Sequence, residues 1–142
     1  LAMRCRASVI INASDTDAVA EIQKISGGGV HLSLDALGSR TTCWNSIKCL
    51  RKRGRHVQVG LMLGADADPP IPMSAVIANE LEILGSHGMQ AFAYSRMLRM
   101  ISSGKLRPEL LISDRVPLIQ AAELLPKLND FPGHGVTVID HM

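Results

Sequence analysis

Short apolar runs rich in β-branched residues alternate along much of this 142-residue chain with segments whose apolar residues recur at helical spacing. A parallel partner strand can be reached only by crossing the sheet, and a helix is the compact way to cross it, so the alternation reads as α/β with parallel strands. Four strands are expected: Ser8-Val9-Ile10-Ile11-Asn12, Val30 to Leu34, Arg55 to Gly60, and Leu81 to Gly85. Ser14 or Asp15 is the expected N-cap of a first helix, with acidic Asp15 and Asp17 in its first turn, Ala18, Val19, Ile22 and Ile25 on its apolar face, and Gly27-Gly28-Gly29 at its end. Thr41 or Thr42 is expected to cap a second helix carrying Trp44, Ile47 and Leu50 and closed by Gly54. Gly64 through Pro72 reads as loop, Ser74 as the cap of a short helix reaching Asn79, and Tyr94 to Ser103 as a helix burying Met97, Leu98 and Ile101. Beyond Pro108 the pattern changes to a short strand at Arg115-Val116, a helix from Leu118 to Leu128, a Gly133-His134-Gly135 turn and a last strand at Val136 to Ile139. This tail does not read as another strand-helix crossover.

Composition narrows the function classes. A net charge of +2 makes no strong anion-attracting field, and one Trp, one Tyr and two Phe leave few surfaces on which bases could stack, so nucleic acid is not an expected partner. No apolar run approaches the roughly 20 residues of a membrane span, and the start Leu1-Ala2-Met3-Arg4 has no signal-peptide core behind it. Cys5, Cys43 and Cys49 are an odd set without two-residue spacing, which argues against a disulfide framework or a thiolate zinc knuckle and fits a reducing cytoplasm. The histidines are scattered, so no metal site is expected within the chain. The absence of an initiator Met points to a fragment.

Three expected strands end in glycine: Asp35-Ala36-Leu37-Gly38, Gln58-Val59-Gly60 and Ile83-Leu84-Gly85. Ligands of open α/β sheets bind beyond the carboxyl ends of the strands, where a missing side chain lets a bulky cofactor reach the backbone. The alternative is that each glycine merely turns the chain. No G-x-G-x-x-G stands between a strand and a helix, and Gly27-Gly28-Gly29 follows a helix, which places it away from that crevice.

The stretches Leu32-Ser33-Leu34-Asp35-Ala36-Leu37-Gly38, Leu50 to Leu61 and Glu80 to Met89 closely resemble the C-terminal half of zinc-dependent, medium-chain alcohol dehydrogenases, and the similarity runs on to Gly135-Val136-Thr137-Val138-Ile139. The resemblance implies a partial Rossmann fold, the second half of a doubly wound parallel sheet. Residues 1–112 would carry the family's third to sixth strands, and residues 113–142 would return to the GroES-like catalytic domain. It also implies NAD or NADP as cofactor. Leu37 and Gly38 would lie beside the adenosine ribose, Val59, Gly60 and Leu61 would flank the nicotinamide, and Leu84, Gly85 and Ser86 would meet its carboxamide side. Thr137 falls where some members carry a basic residue facing the pyrophosphate. No catalytic residue and no metal ligand is expected here: family members draw their zinc ligands, glycine turn and acidic ribose-binding residue from sequence that would precede Leu1, so zinc belongs to the full-length parent only.

The function implied is the cofactor-binding part of an oxidoreductase that transfers hydride between NAD(P) and a small-molecule alcohol, aldehyde or related carbonyl, the piece itself being inactive. Alternatives are a zinc-free quinone or enoyl reductase of the same superfamily, or a non-catalytic dimerisation module built on the sheet edge around Ile77 to Leu84; the resemblance implies a homodimer or homotetramer. In the family strand order the third strand touches the second and the fourth touches the first, and both of those neighbours would be missing, so the Ser8–Asn12 segment is expected to relocate or to pair with another copy. Arg51-Lys52-Arg53 with Arg55 is read as a solvated face at a helix C-terminus, away from the crevice. His87, after the strand ending at Gly85, could face the cofactor or simply sit in a surface turn, and Asp35 is expected to organise the turn that follows it rather than to bind a ribose.

Overall fold

Asp17, and not Ser14 or Asp15, opens the first helix in the computed structural model, which describes residues 1–130 and 135–141. The Asp17 carboxylate accepts from the Val19 and Ala20 amides at 3.0 and 3.1 Å, while Asp15 is engaged further back by the Asn12 side chain at 2.6 Å. Helix α1 (Ala18–Ser26) ends at Gly27, whose φ of 65° is the left-handed conformation that closes helices. Strand β1 (Val30–Asp35) follows, then α2 (Arg40–Lys48), capped by Ser39 in a reciprocal box with Thr42 instead of by Thr41 or Thr42 itself. Helix α2 stops well before Gly54 because Leu50 already belongs to strand β2 (Leu50–Gln58).

The strands β1, β2 and β3 (Glu82–Gly85) form a parallel sheet in that order. Between Val30 and Leu32 the β1–β2 register jumps from Leu50 to Arg55, so the basic run Arg51–Arg53 is an irregular entry to a strand and not a helix C-terminus. Arg53 takes a φ of 58° there, and its amide donates to the Asn79 carbonyl at 2.7 Å. Helix α3 (Met73–Ala78) begins directly after Pro72, with no side-chain cap, so Ser74 lies inside it.

The expected strand at Ser8–Asn12 does not form. No ladder includes those residues, and β1 is the sheet's edge. An extended segment without a partner leaves its backbone polar groups to water and has nothing to hold it extended.

Residues Ile11–Gly88 make one compact unit and Leu1–Ile10 with Met89–Met142 another. In the first, alternation along the strands sends Ser33, Asp35 and His56 to the face on which α2 packs, with Cys43, Ile47, Cys49 and Leu50 buried among them, while Leu32 and Leu34 point the opposite way and are exposed. The second unit holds α4 (Tyr94–Ser102), β4 (Ile112–Pro117), α5 (Leu118–Leu124) and β5 (Val136–His141). Strands β4 and β5 pair in parallel with α5 between them, so the tail is a strand-helix-strand crossover after all. Pro126, which cannot donate to a continuing helix, converts the expected last turns of α5 into a 3₁₀ segment at Leu125–Asp130. On α4, Met97 and Ile101 are half-buried, but Leu98, about 100° round the helix from Met97, is exposed. Gly133 and His134 of the expected turn lie outside the described residues.

Candidate functional site: the carboxyl rim of the parallel sheet

Because the three strands run in parallel, their carboxyl ends share one edge. Asp35 is the ladder partner of Gln58, and Gln58 is the partner of Gly85. Three crossing hydrogen bonds extend the pairing past the strand ends: the Val59 and Gly60 amides both donate to the Asp35 carbonyl, at 2.9 and 2.8 Å, and the Ser86 amide donates to the Gln58 carbonyl at 2.9 Å. The eight residues singled out from the sequence, Leu37, Gly38, Val59, Gly60, Leu61, Leu84, Gly85 and Ser86, therefore leave the sheet along a single rim. Leu37, Val59, Leu61 and Leu84 hold apolar side chains in the open there, 64, 42, 61 and 43% exposed. A line of exposed apolar groups beside bare main chain is the surface a flat heteroaromatic ring needs.

The three glycines are not equivalent. A Cβ on Gly38 would run into the Leu61 carbonyl oxygen and lie 2.8 Å from the Gly60 carbonyl carbon; one on Gly60 would meet the Gly38 nitrogen and lie 2.5 Å from the Leu37 carbonyl carbon. Gly38 also has a φ of 85°, which L side chains rarely adopt. These two glycines are required by the approach of one loop to the other. Gly85 differs: a Cβ there would find nothing within 4 Å, so the chain itself does not demand glycine. Its bareness leaves open space on the rim.

Asp35 organises this corner. One carboxylate oxygen accepts from the Leu37 and Gly38 amides at 3.0 and 3.2 Å, and the other accepts from the Gln58 side chain at 2.9 Å. Burial pushes the Asp35 pKa up, but the hydrogen bonds from Gln58, Gly38, Leu37 and Thr42 outweigh it and leave the carboxyl below its ordinary value. With its acceptor positions spent on the chain, Asp35 serves the turn and not a ribose. The Gln58 amide donates a second hydrogen bond, at 3.0 Å, to the Gly60 carbonyl, which ties β1's loop to β2's. The signal for Gln58 in the sequence is its period-two spacing from His56, which puts both on the inward polar face of the strand.

The remaining candidates contribute little to the rim. Arg51–Arg53 lie at the amino end of β2, where Arg53 meets Glu80 at 3.9 Å, while Arg55 binds Glu82 at 2.6 Å. His87 is exposed beyond β3. Thr137, paired with Asp114, helps line a cleft of about 740 Å³, which belongs wholly to the β4–α5–β5 unit and includes none of the eight rim residues. Among the described residues no group of three or more His, Cys, Asp or Glu side chains could hold a metal ion. No helix among them is long and apolar enough to cross a membrane.

Residues 1–103 match the family model described as zinc-binding dehydrogenase. The chain belongs to that family. It is 32% identical over 139 residues to an NAD-dependent alcohol dehydrogenase of Saccharolobus solfataricus, a match covering 97% of this chain and 39% of the relative. An erythritol/L-threitol dehydrogenase of Mycolicibacterium smegmatis is 28% identical over 122 residues, covering 84% of this chain and 33% of the relative. Benzyl alcohol dehydrogenase from Acinetobacter calcoaceticus superposes with a TM-score of 0.84 at 20% identity, over 98% of this chain and 39% of that one. The chain thus spans well under half the length of these relatives, and its parallel α/β architecture is that of part of a medium-chain dehydrogenase.

Proposed function

We propose that this chain is the cofactor-binding part of an NAD(P)-dependent alcohol dehydrogenase-like oxidoreductase, and that the nicotinamide end of the dinucleotide lies on the rim formed by Leu37, Gly38, Val59, Gly60, Leu61, Leu84, Gly85 and Ser86. The observation that carries the reading is Gly85, a strand-end glycine that the chain leaves open. The relatives named NAD-dependent alcohol dehydrogenases support the same cofactor class. Bound there, the dinucleotide supplies the hydride acceptor or donor; this chain's part is to present a flat, apolar surface with fixed main-chain groups and to keep side chains out of the ring's way. No residue of the rim can move a proton at neutral pH, so the piece binds and orients without turning over an alcohol, aldehyde or related carbonyl by itself. In the full-length enzyme, residues 1–112 would belong to the nucleotide-binding domain and 113–142 would return to the catalytic domain, which would also be the holder of any zinc. Free, unbridged cysteines support a cytoplasmic protein. Titrating the chain with NADH while following nicotinamide fluorescence tests the reading: a saturable change supports it, and none at millimolar NADH removes it.

A second reading, dimerisation, is favoured by one observation. Strand β3 is the edge strand opposite β1, exposed at every residue, with Ile77 73% exposed in the helix before it. An unpaired edge flanked by apolar side chains is a surface for a second copy. Sedimentation at micromolar concentration is expected to give a dimer, and a monomer would remove this reading.

A further inference from the structure

His56 is the one polar side chain in the Ile11–Gly88 unit with no exposure at all, and nothing in the cofactor reading above uses it. It sits directly behind Gln58. His56 Nε2 lies 3.2 Å from Gln58 Oε1, and its Nδ1 lies 2.9 Å from the Ser46 hydroxyl on α2 and 3.5 Å from that of Ser33 on β1. Donor and acceptor chemistry fixes the sense of this chain. The Asp35 carboxylate and the Gly60 carbonyl can only accept, so both must face the NH₂ of Gln58. That turns Oε1 of Gln58 toward His56, and Oε1 can only accept. In the neutral ring the proton therefore sits on Nε2, and Nδ1 accepts from the Ser46 hydroxyl. If the imidazole took the other tautomer, Oε1 would face an unprotonated nitrogen, and an amide flip to relieve this would set Oε1 against the Asp35 carboxylate.

We propose that Gln58 is a positioning residue for the cofactor rim, and that Ser46 and His56 lock its amide from behind; this rests on the cofactor reading. One amide group fixes both loops, since Asp35 holds the Leu37 and Gly38 amides while the Gly60 carbonyl is held directly. Gln58 touches no cofactor. It acts by denying rotation to the peptide units between Val59 and Leu61, so that the main chain beside the nicotinamide is already in place when the dinucleotide arrives. Preorganisation of that kind raises affinity by removing an ordering cost.

The test uses the whole 142-residue chain, ¹⁵N-labelled, as wild type, Ser46→Ala, Ser46→Thr and Gln58→Leu. Imidazole ¹⁵N shifts report the His56 tautomer, the Gly38 and Gly60 amide resonances report the rim, NADH titration gives affinity, and circular dichroism confirms folding. Expected are a wild-type His56 protonated at Nε2, displaced Gly38 and Gly60 amides in Ser46→Ala and Gln58→Leu, NADH affinity weakened about tenfold in Gln58→Leu and less in Ser46→Ala, and recovery in Ser46→Thr, which keeps the hydroxyl. If the wild type binds NADH and the folded Ser46→Ala and Gln58→Leu variants bind equally well, Gln58 is only part of the core and this proposal alone is overturned. If the wild type gives no NADH response, the cofactor reading falls and this proposal falls with it.

Discussion

Gly38 and Gly60 stand in the space each other's side chain would need. A Cβ on Gly60 would strike the Gly38 nitrogen, and one on Gly38 would lie 2.8 Å from the Gly60 carbonyl carbon, because the loops leaving β1 and β2 are drawn together by the Val59 and Gly60 amides on the Asp35 carbonyl. The relationship gives glycine at a strand end two separate meanings, one demanded by the chain and one left over for a ligand.

Alanine substitution separates the two. Gly60→Ala is expected to destabilise the chain by about 1–3 kcal/mol, the usual cost of overpacking against main chain that cannot retreat. Gly85→Ala, with nothing within 4 Å of the new methyl, is expected to leave the urea midpoint unchanged while weakening NADH binding. Equal loss of stability in both variants, measured by urea unfolding, would contradict this distinction.

Asp35 makes stability depend on acid in a defined direction. Its native pKa is lowered because hydrogen bonds from Gln58, Gly38, Leu37 and Thr42 overcome the opposing effect of burial, so its contribution is fully present above the unfolded-state value of about 3.9. As the pH falls through the native value, that contribution is lost. Asp35→Ala is expected to cost about 2–3 kcal/mol at neutral pH, since it orphans two amides and the Gln58 NH₂. Between pH 7 and the acid limit, urea midpoints should fall less for the variant than for the wild type; parallel curves would rule the explanation out.

Cysteine reactivity provides an independent check of the core. Burial raises the thiol pKa of both Cys43, where the Asp35 charge adds to it, and Cys49, and both are buried, Cys43 on α2 itself and Cys49 at its C-cap, whereas Cys5 is exposed. At pH 8, iodoacetamide is expected to modify Cys5 alone in the native chain and all three thiols in urea, counted by intact mass. Fast native labelling of Cys43 or Cys49 would show that the packing described here is wrong.

The strand-rich stretches that built the sheet were legible because Val30 to Leu34 and Arg55 to Gly60 are bounded by turn residues and carry β-branched or alternating side chains. Ser8–Asn12 has the same local character and forms no strand, since pairing is a long-range condition that composition cannot supply. The β4–α5–β5 crossover differs: its strands and helix were expected, but polar Ser113 and Asp114 hid the start of β4, and its parallel pairing with β5 is a long-range fact that only the ladder shows. At the rim, the strand-end glycines were visible as candidates from their positions. Which of them the chain itself needs was not, because the contact of Gly38 with Gly60 depends on the register between two strands. Gln58 and His56 escaped notice because a polar residue reads as outward-facing until a second polar row, Ser33 and Asp35, is found opposite it on the buried face.

The central claim is that the sheet's carboxyl rim receives a nicotinamide dinucleotide. The most direct measurement is an amide ¹H–¹⁵N correlation spectrum of the chain titrated with NADH. Saturable shifts confined to Gly38, Val59, Gly60, Leu61, Gly85 and Ser86 are the predicted result; shifts that fall instead on the cleft around Val116, Leu124 and Ile139, or none at millimolar NADH, would contradict it.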